Sequence, residues 1–197
     1  LELAGGGLVK GIKAAAKAVK GTQEVLPTVE REANKAKFLK PSQEKRRLYH
    51  GTGTDDLYSE QSGQPFSQFT GRPTWLAVEP YTAQAYSKGE GSIYPVHAQI
   101  KNPLKLSFDA NDDAEEAYKI AKQLGVDVDH IKRMDNPDHA WEVFNHPSFV
   151  DAVEDAGYDS IMVNEGGYKT YGVLNPPQIK SAIGNRGTYD IEDPDIT

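Results

Sequence analysis

The residue types best suited to chemistry come closest together in Leu48-Tyr49-His50-Gly51-Thr52. Leu48 and Tyr49 read as the end of a short strand, and His50 stands where that strand opens into the loop Gly51-Thr52-Gly53-Thr54. A histidine at a strand end can aim its ring into a cleft, where it exchanges protons or hydrogen bonds near neutral pH. A following glycine lets backbone and ligand approach closely. The same pair also describes an ordinary turn histidine, so its weight depends on what stands elsewhere in the chain. The other chemical candidates are poorer. His97, His130, His139 and His146 have aspartates nearby but no H-x-x-x-H or H-E-x-x-H spacing, so they read as surface histidines and not as metal ligands. No serine lies in G-x-S-x-G. There is no cysteine, which removes disulfides, thiolate nucleophiles and cysteine-based zinc sites together. The acidic run Asp109, Asp112, Asp113, Glu115 and Glu116 fits a helix N-terminus better than a calcium loop, because no glycine stands at the turn position.

The elements that must position these residues can be read in order. Residues 28–40 pattern as a polar helix with Thr28 as its cap, ended by Pro41. Pro73 to Ala77 is a second strand, and Glu79-Pro80 open a short helix that carries Ala83, Ala85 and Tyr86 and stops at Gly89 and Gly91. Ile93 to Ile100 alternates as a strand, with Pro95 placing it at a sheet edge or at its own first turn. Leu104 to Leu106 is extended. Residues 112–125 form a helix with Ala114, Ala117, Tyr118, Ala121 and Leu124 on one face and Gly125 at its end. Residues 127–146 are polar, with Ile131, Met134, Trp141, Val143 and Phe144 as core, and Phe149–Ala156 is a further helix. Strands Asp159–Val163 and Thr170–Leu174 flank a loop, Asn164-Glu165-Gly166-Gly167-Tyr168. Phe66 and Phe69 anchor the polar loop before Gly71. Two groups of strands with helices between them indicate an α+β fold. A Rossmann fingerprint and a P-loop are both absent.

Length and composition set the bounds. A chain of 197 residues fits one ordinary domain with an extra segment. Mean hydropathy is −0.62 and no apolar run reaches the span of a transmembrane helix. The lack of an initiator methionine is expected of a fragment or a processed product. Charge is divided unevenly. Through Arg47 there are eleven basic and five acidic residues, a net of +6; from Leu48 onward eleven basic face twenty-four acidic, a net of −13. So acidic a body is a poor reader of duplex nucleic acid, which needs a basic face. Residues 1–24 pattern as a basic amphipathic helix, with Leu8, Val9, Ile12 and Val19 opposite Lys10, Lys13, Lys17 and Lys20. Such a helix suits an anionic surface, a partner helix or packing on its own protein. The expected division is a basic helical arm or linker at 1–41 and a domain at 42–197.

Three stretches in order carry a resemblance: Tyr-His-Gly-Thr at 49–52; Pro-Thr-Trp-Leu-Ala at 73–77 with Ala83, Ala85 and Tyr86 behind it; and Gly-Tyr-Asp-Ser-Ile at 157–161, followed by Tyr171-Gly172-Val173-Leu174-Asn175-Pro176-Pro177. Together they resemble the ADP-ribosyltransferases of the diphtheria-toxin and poly(ADP-ribose)-polymerase type, in the variant found in phage and mobile-element polyvalent proteins. The tail Ile183-Gly184-Asn185-Arg186-Gly187-Thr188-Tyr189 is similar to the end of that variant, so the likeness spans about residues 46–197. It implies a split β-sandwich holding NAD, as co-substrate and without a metal, in a cleft between two small sheets. Carried over by position, His50 would bond a ribose hydroxyl of the adenosine side, Gly51 backbone would hold the nicotinamide amide, and Thr52 would assist near the same ribose. Trp75 takes the place of the second-motif tyrosine. Tyr86, eleven residues on, matches the aromatic that stacks on nicotinamide. Two aromatic walls suit a flat leaving ring, and a carboxylate suits a cationic sugar; core packing is the other reading of both aromatics. The third motif departs from the pattern. The family's catalytic glutamate falls at Thr170, which carries no charge, and Tyr168 two residues earlier leaves no Glu-x-Glu pair. Glu165, five residues upstream beside Gly166 and Gly167, is the alternative carboxylate, or a solvated loop residue.

Three functions follow as expectations. The first is a mono-ADP-ribosyltransferase, a glycosyltransferase-class enzyme acting as a toxin or phage-delivered effector on a protein or nucleic-acid acceptor, in the cytoplasm of a target or host cell. The second is a degenerate transferase fold serving as a structural or binding component of a virion or other assembly, docked through residues 1–40 or joined to a larger parent protein. The third is an NAD glycohydrolase with water as acceptor.

Overall fold

The computed structural model describes residues 25–53, 71–87, 91–108, 114–135, 137–193 and 195–196. The basic arm at 1–24, the anchors Phe66 and Phe69, and Asp109, Asp112 and Asp113 lie outside them. In chain order the described elements are α1 (Thr28–Leu39), β1 (Leu48–Thr52), β2 (Thr74–Ala77), α2 (Pro80–Gln84), β3 (Ser92–Ala98), β4 (Pro103–Phe108), α3 (Ala114–Gln123), α4 (Val128–Met134), α5 (Ala140–Phe144), α6 (Pro147–Asp155), β5 (Ser160–Glu165), β6 (Tyr168–Val173) and β7 (Ile179–Ser181). This is the expected α+β class. The strands hydrogen-bond in the order β4-β5-β6-β2-β1-β3-β7. Among the described strands only β4 and β5 run parallel, and α3 to α6 make the crossover between them.

The sheet has a seam. β2 is laddered to β6 over four residue pairs and β1 to β3 over five, but β1 meets β2 at the single pair Tyr49–Ala77. The two faces are covered differently. Strand alternation and register put Ile161 and Val163 of β5, Thr170 and Gly172 of β6, and Trp75 and Ala77 of β2 on one face. There Ile161 and Val163 pack with Ala117, Ala121, Ile131, Val143, Phe144, Phe149 and Val153 of the helical layer. The helix α3 lies flat because Ala114, Ala117, Tyr118 and Ala121 recur at helical spacing and are all buried. Gly125, at φ +84°, lets the chain turn away after it. The opposite face buries Leu48, Leu76, Tyr94, Val96, Tyr171, Val173 and Ile179 as a second cluster that spans the seam.

Several sequence readings need correction. β3 lies between β1 and β7, not at an edge. Pro95 is tolerated because it falls one residue before the β3–β7 ladder begins at Val96–Ser181. The expected five-residue loop at 164–168 contracts to Gly166-Gly167, with φ +55° and +93°, a two-residue hairpin of the type I′ kind. Glu165 and Tyr168 are therefore paired strand residues. Pro27, not Thr28, occupies the cap position of α1. His97 is buried, not at the surface, with its ring 6.3 Å from that of Tyr189.

The helix α1 is held by the chain's end. Phe38 and Leu39 bury with Tyr189. Leu26 N–H donates to the Arg186 carbonyl at 2.9 Å, Asn34 Nδ2 to the Gly187 carbonyl at 2.9 Å, and Gln99 Nε2 to the Phe38 carbonyl at 2.6 Å. Within β7, buried Lys180 donates to the carbonyls of Asp193 and Asp195, which folds the tail back on the sheet.

Candidate functional site

The first motif lies at the seam. Past Tyr49–Ala77 the two strands part, and the His50 ring spans the gap: Nδ1 lies 3.0 Å from the Trp75 carbonyl oxygen. A carbonyl only accepts, so the proton sits on Nδ1 and Nε2 is the acceptor of the neutral ring. Burial pushes the His50 pKa down, and the bond to Trp75 opposes this only in part. The imidazole is therefore neutral at pH 7 and presents an acceptor.

Gly51 is glycine for a packing reason. A Cβ there would lie 1.9 Å from the Ala83 carbonyl oxygen and 3.2 Å from the Tyr86 Cβ. The close approach is thus that of α2 to β1. Pro80 starts α2 after extended Glu79, and Ala83 buries with Ala77 and Ile93 against Tyr49. Tyr86 follows, its N–H on the Ala83 carbonyl at 3.1 Å. Its side chain is 66% exposed, so it is no core aromatic.

The opposite wall is Trp75. Its six-membered ring lies over Gly172, where a Cβ would come within 2.9 Å of Trp75 Cζ3 and 2.8 Å of Pro73 Cβ. Its Nε1–H donates to Asn145 Oδ1 at 2.7 Å, and Trp141 meets it edge-on at 4.8 Å between ring centroids. Trp75 therefore serves both readings of the sequence: it packs against the helical layer and it lines a cavity.

Thr170 stands opposite Ala77 on β2 and Val163 on β5, half-buried. Its position is fixed from behind. The next residue, Tyr171, points to the other face and donates its hydroxyl to Glu44 Oε2 at 3.2 Å. Arg46 grips the same carboxylate through Nε at 2.9 Å and Nη2 at 2.7 Å. Burial raises the cost of charging Glu44, but the Arg46 bonds outweigh it and hold the carboxyl below its ordinary value. Burial and that carboxylate push the Tyr171 hydroxyl up to about 12.

His50, Gly51, Trp75, Tyr86 and Thr170 line one cavity of about 280 Å³, shared with Tyr49, Arg72, Trp141, Asn145 and the α2 residues Thr82 and Ala83. Two sequence candidates lie outside that lining. Thr52 ends β1 opposite Ser92. Glu165 sits at the hairpin, opposite Tyr168 and Phe108. Alternation nevertheless puts Glu165 on the Thr170 face, as a diagonal neighbour at roughly 7–8 Å, within reach of a long side chain. Trp141 read only as core from the sequence. Asn145 and Arg72 gave no signal, because Asn145 meets Trp75 across seventy residues of chain and no local pattern marks either. Among the described residues Arg72 is the one charged side chain on the lining. Among the described residues no group of three His, Cys, Asp or Glu is placed to hold a metal.

Residues 44–189 match the family model described as ADP-ribosyltransferase in polyvalent proteins. No curated protein matches the chain. Among solved structures, one described as the crystal structure of an anti-CRISPR protein is similar at 21% identity and a TM-score of 0.35, covering 66% of this chain and 89% of its own.

Proposed function

This chain belongs to the family of ADP-ribosyltransferases in polyvalent proteins, and on that footing we propose that it cleaves NAD at the β1–β2 seam and transfers ADP-ribose to a macromolecular acceptor. The observation that carries the reading is the convergence of His50, Gly51, Trp75, Tyr86 and Thr170, from separate elements, on one cavity. The residues fit the co-substrate. A flat, neutral ring is held best between aromatic faces with few charges, and Trp75 and Tyr86 supply such faces. NAD supplies the electrophilic ribose carbon: its bond to nicotinamide breaks, the ring leaves with the electron pair, and the acceptor's nucleophile forms the new bond as its proton departs.

The chain's own residues bind and orient. His50, neutral with Nε2 as acceptor, takes a hydrogen bond from a ribose hydroxyl. Tyr86 at the mouth closes over the nicotinamide ring against Trp75. The Thr170 hydroxyl bonds a sugar hydroxyl where the family's catalytic carboxylate stands. Glu165 reaches diagonally across the hairpin to supply the negative charge that Thr170 lacks. The acceptor is a protein or nucleic acid, and the biological role is that of a toxin or effector delivered to the cytoplasm of a target or host cell. Residues 1–40 serve as a docking arm. Among the described residues no helix is long and apolar enough to cross a membrane.

A second reading, a transferase fold retained as a binding component of a virion or other assembly, is favoured by one observation: among the described residues no carboxylate lines the cavity. Nicotinamide release from NAD, with and without cell lysate, separates the two. The expected outcome is turnover by the parent chain, a loss of about 10²-fold or more in Glu165→Gln and a smaller loss in Thr170→Ala. Bound NAD with no turnover in any form favours the binding component. Free ADP-ribose as the sole product, whatever the lysate, makes water the acceptor.

A further inference from the structure

We propose that Arg72 and Asn145 form a subsite for the diphosphate of a nucleotide ligand, flanking Trp75 on the β2 side of the cavity. The inference rests on the reading of this cavity as a nucleotide site and adds to it the residues that take the anionic part.

Charge is the first observation. Among the described residues the lining is built from aromatic, aliphatic and hydroxyl side chains with the neutral His50 ring and the Asn145 amide, and its one formal charge is the Arg72 guanidinium. Arg72 is exposed, and among the described residues no carboxylate lines the cavity and no ion pair engages it. From Leu48 onward the chain carries a net −13, so this cation runs against the sign of the body around it. A cation on the wall of a low-dielectric cleft draws an anion to that spot.

Hydrogen-bond valence is the second, independent observation. Trp75 Nε1 can only donate, and it donates to Asn145 Oδ1 at 2.7 Å. That bond fixes the orientation of the amide and takes up its acceptor oxygen. The polar group that Asn145 has left is its Nδ2, which only donates. Arg72 and Asn145 line the same cavity as Trp75, and Asn145 is bonded to the Trp75 indole, so both donors face one space. Donors without acceptors suit phosphate oxygens, and the planar guanidinium fork matches them two at a time. Elsewhere the described lining is neutral, the His50 ring included, so a ligand that carries a diphosphate is placed with that group toward Arg72 and Asn145.

The test uses the full chain and three probes, ADP, inorganic pyrophosphate and nicotinamide, titrated by calorimetry. Arg72→Ala is expected to weaken ADP and pyrophosphate by about tenfold or more and leave nicotinamide unchanged, with Arg72→Lys between, since it keeps the charge and loses the fork. Asn145→Asp keeps an oxygen for Trp75 but sets a carboxylate where the donors stood. It is expected to weaken ADP at least as much, while unchanged tryptophan emission without ligand shows the wall intact. Equal ADP affinity in the parent, Arg72→Ala and Asn145→Asp overturns the subsite, as does a parent chain that binds nicotinamide but not ADP; in both cases the nicotinamide site stands. A parent that binds none of the probes overturns the subsite and the nucleotide reading together.

Discussion

His50 enters the cavity lining as a ring of fixed tautomer. A buried ring that donates from Nδ1 to a main-chain carbonyl stays neutral and keeps Nε2 as an acceptor. The same burial makes stability depend on pH. The His50 pKa lies below 6.5, and burial followed by the charges of Lys35 and Arg47 takes His97 to about 4. Below pH 6.5 the unfolded chain binds protons that the folded chain refuses, so stability falls as pH falls through the window between the two values. For His97 that window runs from 6.5 to about 4, and each group contributes a slope of about 1.4 kcal/mol per pH unit inside it. Urea unfolding is expected to give a lower midpoint at pH 5 than at pH 7.5, with the difference reduced in His97→Gln. Equal midpoints in the parent chain would show that neither ring is held neutral. At this scale the sequence was informative where a local pattern existed. Tyr-His-Gly-Thr and the Trp75–Tyr86 step lead to five cavity residues. Asn145 was illegible because its significance is a bond to an indole seventy positions away, and His97 was misread because its burial depends on α1 and the tail.

Elements explain why the site is a cleft and not a closed sheet. The two halves share a single registered pair, and α2 is pressed against β1 at the one residue without a Cβ. Gly51→Ala would set a methyl carbon 1.9 Å from the Ala83 carbonyl. It is expected to displace α2 with Tyr86 and to cost about 1–3 kcal/mol, the usual toll of overpacking. Thermal unfolding with nicotinamide binding checks this, and an unchanged affinity would mean that α2 does not set the Tyr86 wall. The strands and long helices were legible because apolar residues recur at periods of two and 3.6. The hairpin was not, since Tyr168 and Lys169 are exposed strand residues with no buried partner to mark them. The short helices α4 and α5 were also missed. Helices of seven and five residues owe their existence to the packing of Ile131, Val143 and Phe144, not to local propensity.

The whole molecule is closed by its two ends. Phe38 and Leu39 of α1 bury against Tyr189, Leu26 and Asn34 bond the 186–187 carbonyls, and a Cβ on Gly187 would strike Arg31 Cγ at 2.1 Å. A chain starting at residue 42 loses these contacts and is expected to be less stable by about 3–5 kcal/mol, the scale of deleting a large buried side chain. Thermal melts of the two lengths decide it, and equal midpoints would make α1 an appendage. The same architecture provides a direct probe of the central claim, that this cavity holds NAD. The chain has two tryptophans, Trp75 and Trp141, and both line the cavity. All tryptophan emission therefore reports on the site. We would titrate NAD against the full chain while exciting only tryptophan. The account predicts a saturable change in emission that is lost or strongly weakened in His50→Ala and Tyr86→Ala. Emission that stays flat to millimolar NAD, or a change that survives both substitutions, would contradict it.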